Sequence, residues 1–119
     1  MAGPVQVQEA CQPGHLDNAN ELESRHTMSI WKKPFDLTQI NAAAQGCASD
    51  VFGIRITEIG EDFVRGELQV EPRTQQPFGL LHGGVSCVLA ETLGSVGGLL
   101  ACDEGYGVVG VDINATHMN

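Results

Sequence analysis

An α+β domain, in which an antiparallel sheet packs around one long apolar helix, is the architecture this sequence predicts. Three patterns carry the prediction. Residues 52–59 alternate around Ile54, Ile56 and Ile59, and residues 63–70 alternate again through Phe63, Leu68 and Val70. Gly60-Glu61-Asp62 lies between them as a turn, so the two runs form an antiparallel hairpin. Residues 84–102 carry Val85, Cys87, Val88, Leu89, Ala90, Leu93, Val96, Leu99, Leu100 and Ala101, which leave no broad polar face. Such a helix is expected to be buried on most sides, as when a sheet wraps round it. Residues 108–115 supply a third strand.

The remaining elements follow in chain order. Residues 1–27 are polar, rich in Gln, Asn, Glu, Pro and Gly, and show no apolar periodicity. They read as a disordered leader or as an extension ahead of the natural start at Met28, and His15 and His26 within them are given no function. Asp36 or Thr38 caps a short helix over residues 37–44, with Leu37, Ile40 and Ala44 on one face and Gly46 ending it. Residues 72–79 are a loop. In the long helix, Gly94, Gly97 and Gly98 each cost roughly 1 kcal/mol relative to Ala, which implies close approach of another backbone.

At 119 residues the chain is one domain at most. Six Lys and Arg against fifteen Asp and Glu give a formal net charge of −9, which argues against a nucleic-acid partner. No apolar stretch is read as reaching the roughly 20 residues a bilayer requires, and no secretory signal opens the chain. A cytoplasmic protein without a membrane partner is the expectation. Cys11, Cys47, Cys87 and Cys102 form no C-x-x-C pair and no cluster with the histidines, so all four are expected as reduced thiols and no metal site is implied. Cys87 and Cys102 read as small buried hydrophobes.

The run from Gln75 to Glu91 carries the chemistry. His82, Gly83 and Gly84 stand at the mouth of the apolar helix, and Glu91 lies about two turns inside it. A helix N-terminus leaves backbone N–H groups without partners, and glycine lets a ligand approach them without a Cβ clash. Such a site can hold a developing oxyanion. A lone carboxylate in an apolar helix is costly unless something pairs with it or uses it. An oxyanion site and a carboxylate on one segment point to acyl-group chemistry. Gln76 precedes Pro77, which holds its backbone extended, and Ser95 shares the helical face of Glu91 one turn on.

Spacing constrains this pair further. Eight residues along an α-helix is about 12 Å, too far for Glu91 to reach a carbonyl bound at its own helix mouth. Two chains with antiparallel helices would bring Glu91 of one beside Gly83 of the other, so the spacing predicts a two-fold dimer with sites at the interface.

The stretches Gln76-Pro77-Phe78-Gly79-Leu80-Leu81-His82-Gly83-Gly84 and Leu89-Ala90-Glu91-Thr92-Leu93-Gly94-Ser95 strongly resemble the hotdog-fold acyl-CoA thioesterases. Ile30-Trp31-Lys32 and Val109-Gly110-Val111-Asp112-Ile113-Asn114-Ala115-Thr116-His117 are similar to the same subgroup, that of the 1,4-dihydroxy-2-naphthoyl-CoA thioesterases of menaquinone biosynthesis and the enterobactin-pathway proofreading thioesterase. The resemblance spans about residues 28–117. It implies a hydrolase of an aromatic or medium-chain acyl-CoA that self-associates to a dimer or tetramer and needs no cofactor. It further implies Glu91 as nucleophile or general base, Gln76 and the Gly83 N–H on the thioester carbonyl oxygen, and His82 ordering the loop or touching the thioester. Ser95, Val96 and His117 match secondary, substrate-binding positions. Domains of this type carry five or six strands where three are read here, so residues 28–119 are expected as an incomplete hotdog domain. Two alternatives stand beside the thioesterase: a hydroxyacyl dehydratase-like lyase, and an inactive remnant.

Overall fold

The structure, a computed structural model, describes residues 29–118, so the expectations for residues 1–27 and for Cys11 lie outside the described residues. Five elements follow in order: α1 (Leu37–Ala43), α2 (Ala48–Val51), β1 (Arg55–Ile59), β2 (Val64–Glu67) and α3 (Gly83–Ala101). The side chain of Asp36 accepts from Gln39 N at 3.0 Å and starts α1. Gly46, with φ +76°, lies just beyond the end of α1. A second left-handed glycine, Gly53 at φ +67°, releases the chain from α2 toward β1. That four-residue helix lies where no element was expected, and its C-cap at Phe52 and the turn at Gly53 delay β1 to Arg55 from the expected Phe52.

β1 and β2 pair antiparallel, with Ile56 opposite Gly66 and Ile59 opposite Val64. A register shift between Ile56 and Glu58 makes Thr57 the extra residue of a bulge. Ile54 and Ile56 obey the period of two, whereas Ile59 does not. The bulge restores its facing, and Ile59 packs against the same core as the other two. β2 stops at Glu67, short of the expected Val70, because the Gln69 carbonyl bonds the Thr74 hydroxyl at 2.8 Å and not a strand.

Ile54, Ile56, Leu89 and Leu93 form the core, with Leu37, Ile40, Phe52, Ile59, Val64, Leu68, Val88 and Val96 packed on it. Val85, Leu89, Leu93 and Leu100 are the buried stripe of α3. Gly66 lets that stripe settle on the sheet: a Cβ there would stand 2.7 Å from Leu93 Cδ2 and 2.9 Å from the Arg55 carbonyl. Asn41 on α1 bonds both the N–H and the C=O of Ile56 at 2.9 Å, closing part of the free edge of β1 as a neighbouring strand would. Trp31 Nε1 donates to the Gly60 carbonyl at 2.6 Å and ties residues 29–33 to the hairpin turn. Lys32 N and Lys33 N both donate to Leu100 O, at 2.8 and 3.1 Å, fastening the same segment to the end of α3.

Three expectations change. Residues 108–115 form no strand, because no strand lies beside them among the described residues to supply ladder hydrogen bonds. They follow α3 back toward its start instead, with Val108 against Gly98, Gly110 against Glu91 and His117 against Gly83. The sheet therefore has two strands and lies against α3 without wrapping it. α3 is also less enclosed than its composition implied: Glu91, Gly94 and Leu99 are exposed, and Cys87 and Cys102 are half-buried. At 19 residues α3 is, by length and composition alone, apolar enough to cross a membrane, contrary to the sequence reading. Two residues of its buried stripe, Leu89 and Leu93, pack with Ile54 and Ile56 in the core.

Candidate active site

The mouth of α3 is built by the loop that enters it. Thr74 is fully buried, and its hydroxyl donates to Gln69 O at 2.8 Å while accepting from Glu71 N at 2.9 Å. Its own carbonyl accepts from His82 N at 2.9 Å. Gln75 bridges Leu81, and Gln76 N donates to Leu80 O at 2.8 Å, so residues 75–81 close on themselves. The Gln76 side-chain oxygen accepts from Phe78 N. With the oxygen so held, the amide NH₂ is the end of Gln76 left to donate outward.

His82 caps α3, its Nδ1 accepting from Gly84 N at 2.9 Å. Its carbonyl accepts from Val85 N and Ser86 N at 2.9 and 3.3 Å. Among the described residues the Gly83 N–H bonds nothing, and it remains the free donor of the first turn. Each glycine makes room for a different imidazole. A Cβ on Gly84 would stand 3.1 Å from His82 Nδ1, and one on Gly83 would stand 3.2 Å from His117 Cε1. His117, 31 residues from Ser86 in sequence, reaches its hydroxyl through Nε2 at 2.6 Å.

Glu91 lies on the same continuous helix, two turns on, and its Oε1 accepts from Ser95 Oγ at 2.8 Å. Sequence spacing anticipates that contact. Burial of Glu91 was also expected, yet within the chain the carboxylate is exposed, with the Gly110 backbone crossing over it. Among the described residues, the nearest neighbours of the helix glycines are side chains or open space. Gly97 faces the Trp31 ring and Val64, Gly98 lies under Val108, and a Cβ on Gly94 would meet no atom within 4 Å. Val96 packs against the core cluster, apart from the mouth residues.

The structure therefore brings together His82, Gly83, Ser86 and His117, with Gln76 on the adjoining loop, and keeps the Glu91–Ser95 pair apart from them. Thr74 and Ser86 escaped the sequence reading. Ser86, three residues past Gly83 on its helix, was open to a spacing argument; Thr74 gave no signal, since its burial depends on contacts made by the folded loop.

An α+β unit of a short antiparallel sheet against a long glycine-mouthed helix is a hotdog-type arrangement, and comparison with known proteins agrees. Residues 78–119 match the family model of the thioesterase superfamily. Over those residues the chain is similar to thioesterase-superfamily sequence, and its arrangement is that of a hotdog fold. A Haemophilus influenzae protein provisionally named an esterase is 49% identical over 89 residues, covering 75% of this chain and 64% of its own length. The crystal structure of a thioesterase from H. influenzae has a TM-score of 0.73 at 49% identity, covering 76% of this chain and 63% of that one. A mutant thioesterase from Pseudomonas aeruginosa, with a glutamine replaced by alanine, has a TM-score of 0.73 at 42% identity, covering 76% and 66%. The chain thus spans just under two thirds of the length of each relative.

Proposed function

We propose that this chain belongs to a thioester hydrolase that cleaves an aromatic or medium-chain acyl-CoA to the free acid and the CoA thiol. One observation carries the reading: at the head of an apolar helix the Gly83 N–H has no partner among the described residues, with the His117 ring beside Gly83 and the His82 ring beside Gly84. The solved relatives, both thioesterases, support it at the level of reaction class.

In this reading the thioester carbonyl oxygen lies on the Gly83 N–H and the Gln76 amide. Donors fixed where charge develops are each worth roughly 3–4 kcal/mol by removal, and the positive end of the α3 dipole adds to them. His82, whose Nδ1 is occupied, presents Nε2–H toward the substrate. Glu91, oriented by Ser95, either attacks the carbonyl carbon or takes a proton from the water that does. In the first case the C–S bond breaks to leave a mixed anhydride, which water then hydrolyses to the free acid; in the second the C–S bond breaks directly to the acid. In both, the proton given up by the water ends on the departing thiolate.

A second chain supplies Glu91. The exposed carboxylate and the open surface at Gly94, three residues on, leave space for a partner helix on that face. The reaction calls on no cofactor.

Release of free thiol from benzoyl-CoA and hexanoyl-CoA, wild type against Glu91→Ala, is the test. We expect Glu91→Ala to lose at least a hundredfold in kcat. Equal rates would remove Glu91 from the mechanism. An enoyl product without free thiol would support the lyase, and no turnover with a non-cooperative melt would support the remnant.

A further inference from the structure

The first turn of α3 holds a hydroxyl with two close neighbours and one hydrogen. Ser86 Oγ lies 2.6 Å from the Gly83 carbonyl oxygen and 2.6 Å from His117 Nε2. A carbonyl has no proton to offer, so the first contact is attractive only when Ser86 donates to it. The hydroxyl hydrogen is then committed, and the contact with His117 requires Nε2 to donate. Neutral His117 therefore carries its proton on Nε2 and keeps Nδ1 as a lone-pair acceptor. His82 is the reverse case: its Nδ1 is used by Gly84 N–H, so Nε2–H faces out as a donor. Around the free Gly83 N–H the chain thus sets one donor imidazole and one acceptor imidazole.

We propose that Ser86 is a positioning residue, which fixes the tautomer of His117 so that Nδ1 accepts a hydrogen bond from an N–H or O–H group of the acyl-CoA. This rests on the thioesterase reading for the identity of the ligand, but not for the state of the ring. Two parts of such a substrate carry that chemistry: a hydroxyl on an aromatic acyl group, and an amide N–H on the thiol arm. A substrate contact made equally in the ground and transition states appears in KM and not in kcat.

The test has two independent readouts on the 119-residue chain. The first is the imidazole ¹⁵N spectrum of His117 without substrate, in alkaline buffer, for wild type, Ser86→Ala and Ser86→Thr. We expect a dominant Nε2–H form in wild type and Ser86→Thr, and an averaged tautomer mixture in Ser86→Ala. Alanine is a good helix former, so α3 is retained. An unchanged His117 spectrum in Ser86→Ala overturns the proposal whatever the activity; absence of turnover in wild type overturns only the thioesterase reading. The second is steady-state hydrolysis of benzoyl-CoA and 4-hydroxybenzoyl-CoA. We expect Ser86→Ala to raise KM by up to about tenfold, the worth of one hydrogen bond, with kcat within twofold and recovery in Ser86→Thr. A penalty confined to the hydroxylated substrate places the donor on the acyl group, and an equal penalty for both places it on the thiol arm. A fall in kcat at unchanged KM overturns the proposal.

Discussion

Gly83 occupies the first position of α3, directly after the His82 cap, where proline is well tolerated because its missing N–H has no helical partner. His82 already sits at φ −68° and ψ 127°, the extended region that a following proline demands. Gly83→Pro therefore deletes the free donor while keeping the helix, and Gly83→Ala adds a side chain while keeping the donor. We expect Gly83→Pro to lose about 10²–10³ in kcat and Gly83→Ala considerably less, with both melting close to wild type by circular dichroism. Equal losses would assign the effect to crowding of His117. Thr74 makes a different residue-scale prediction. Thr74→Val keeps the shape of a fully buried side chain but strands Glu71 N and the Gln69 carbonyl. It should cost about 1–3 kcal/mol in urea unfolding.

The packing of α3 on the hairpin turns on Gly66. An alanine methyl would meet Leu93 Cδ2, which can move, and the Arg55 carbonyl, which is held in the pairing of β1 with β2. Gly66→Ala should destabilise the fold by about 1–3 kcal/mol, read as a lower urea midpoint at unchanged slope. At this scale the sequence was most readable where one local rule decides. The Asp36 cap, the hairpin and the long helix follow from turn residues and apolar periodicity. Thr57 shows the opposite case: a bulge alters the facing of Ile59 through a pairing choice that no single strand announces. Residues 108–115 have strand composition, but a strand exists only beside another, and propensity does not say whether a neighbour is present. In the candidate site, Gly83, His82 and the Ser95–Glu91 contact were legible from spacing on one helix. The Ser86–His117 contact was not, because it joins residues brought together only by the return of the chain along α3.

For the whole molecule, the placement of Glu91 and Gly83 on one rigid helix is decisive. A monomer keeps them about 12 Å apart; in the proposed dimer an antiparallel pair of helices would join them. Val109 and Val111 are 81% and 94% exposed, and Phe78 is 89% exposed, a large apolar surface for a lone chain to leave in water. Mixing two inactive proteins tests the arrangement. If each site takes Gly83 from one chain and Glu91 from the other, Glu91→Ala mixed with Gly83→Pro gives hybrids with one intact site. Refolding them together in equal amounts should restore about a quarter of wild-type activity, since half of randomly formed pairs are hybrids and half their sites are whole. Sedimentation velocity should show the same pairs. If the mixture stays inactive while hybrids demonstrably form, the shared site is wrong.

Trp31 is the chain's single tryptophan, and its indole joins three parts of the molecule at once: the segment before α1, the carbonyl of the hairpin turn, and the α3 backbone at Gly97. Nature has in effect installed one fluorophore at the junction. Its emission colour reports, without labels, whether that junction is shut. A red shift that precedes the loss of helical ellipticity during a denaturant titration would show the N-terminal segment peeling away first.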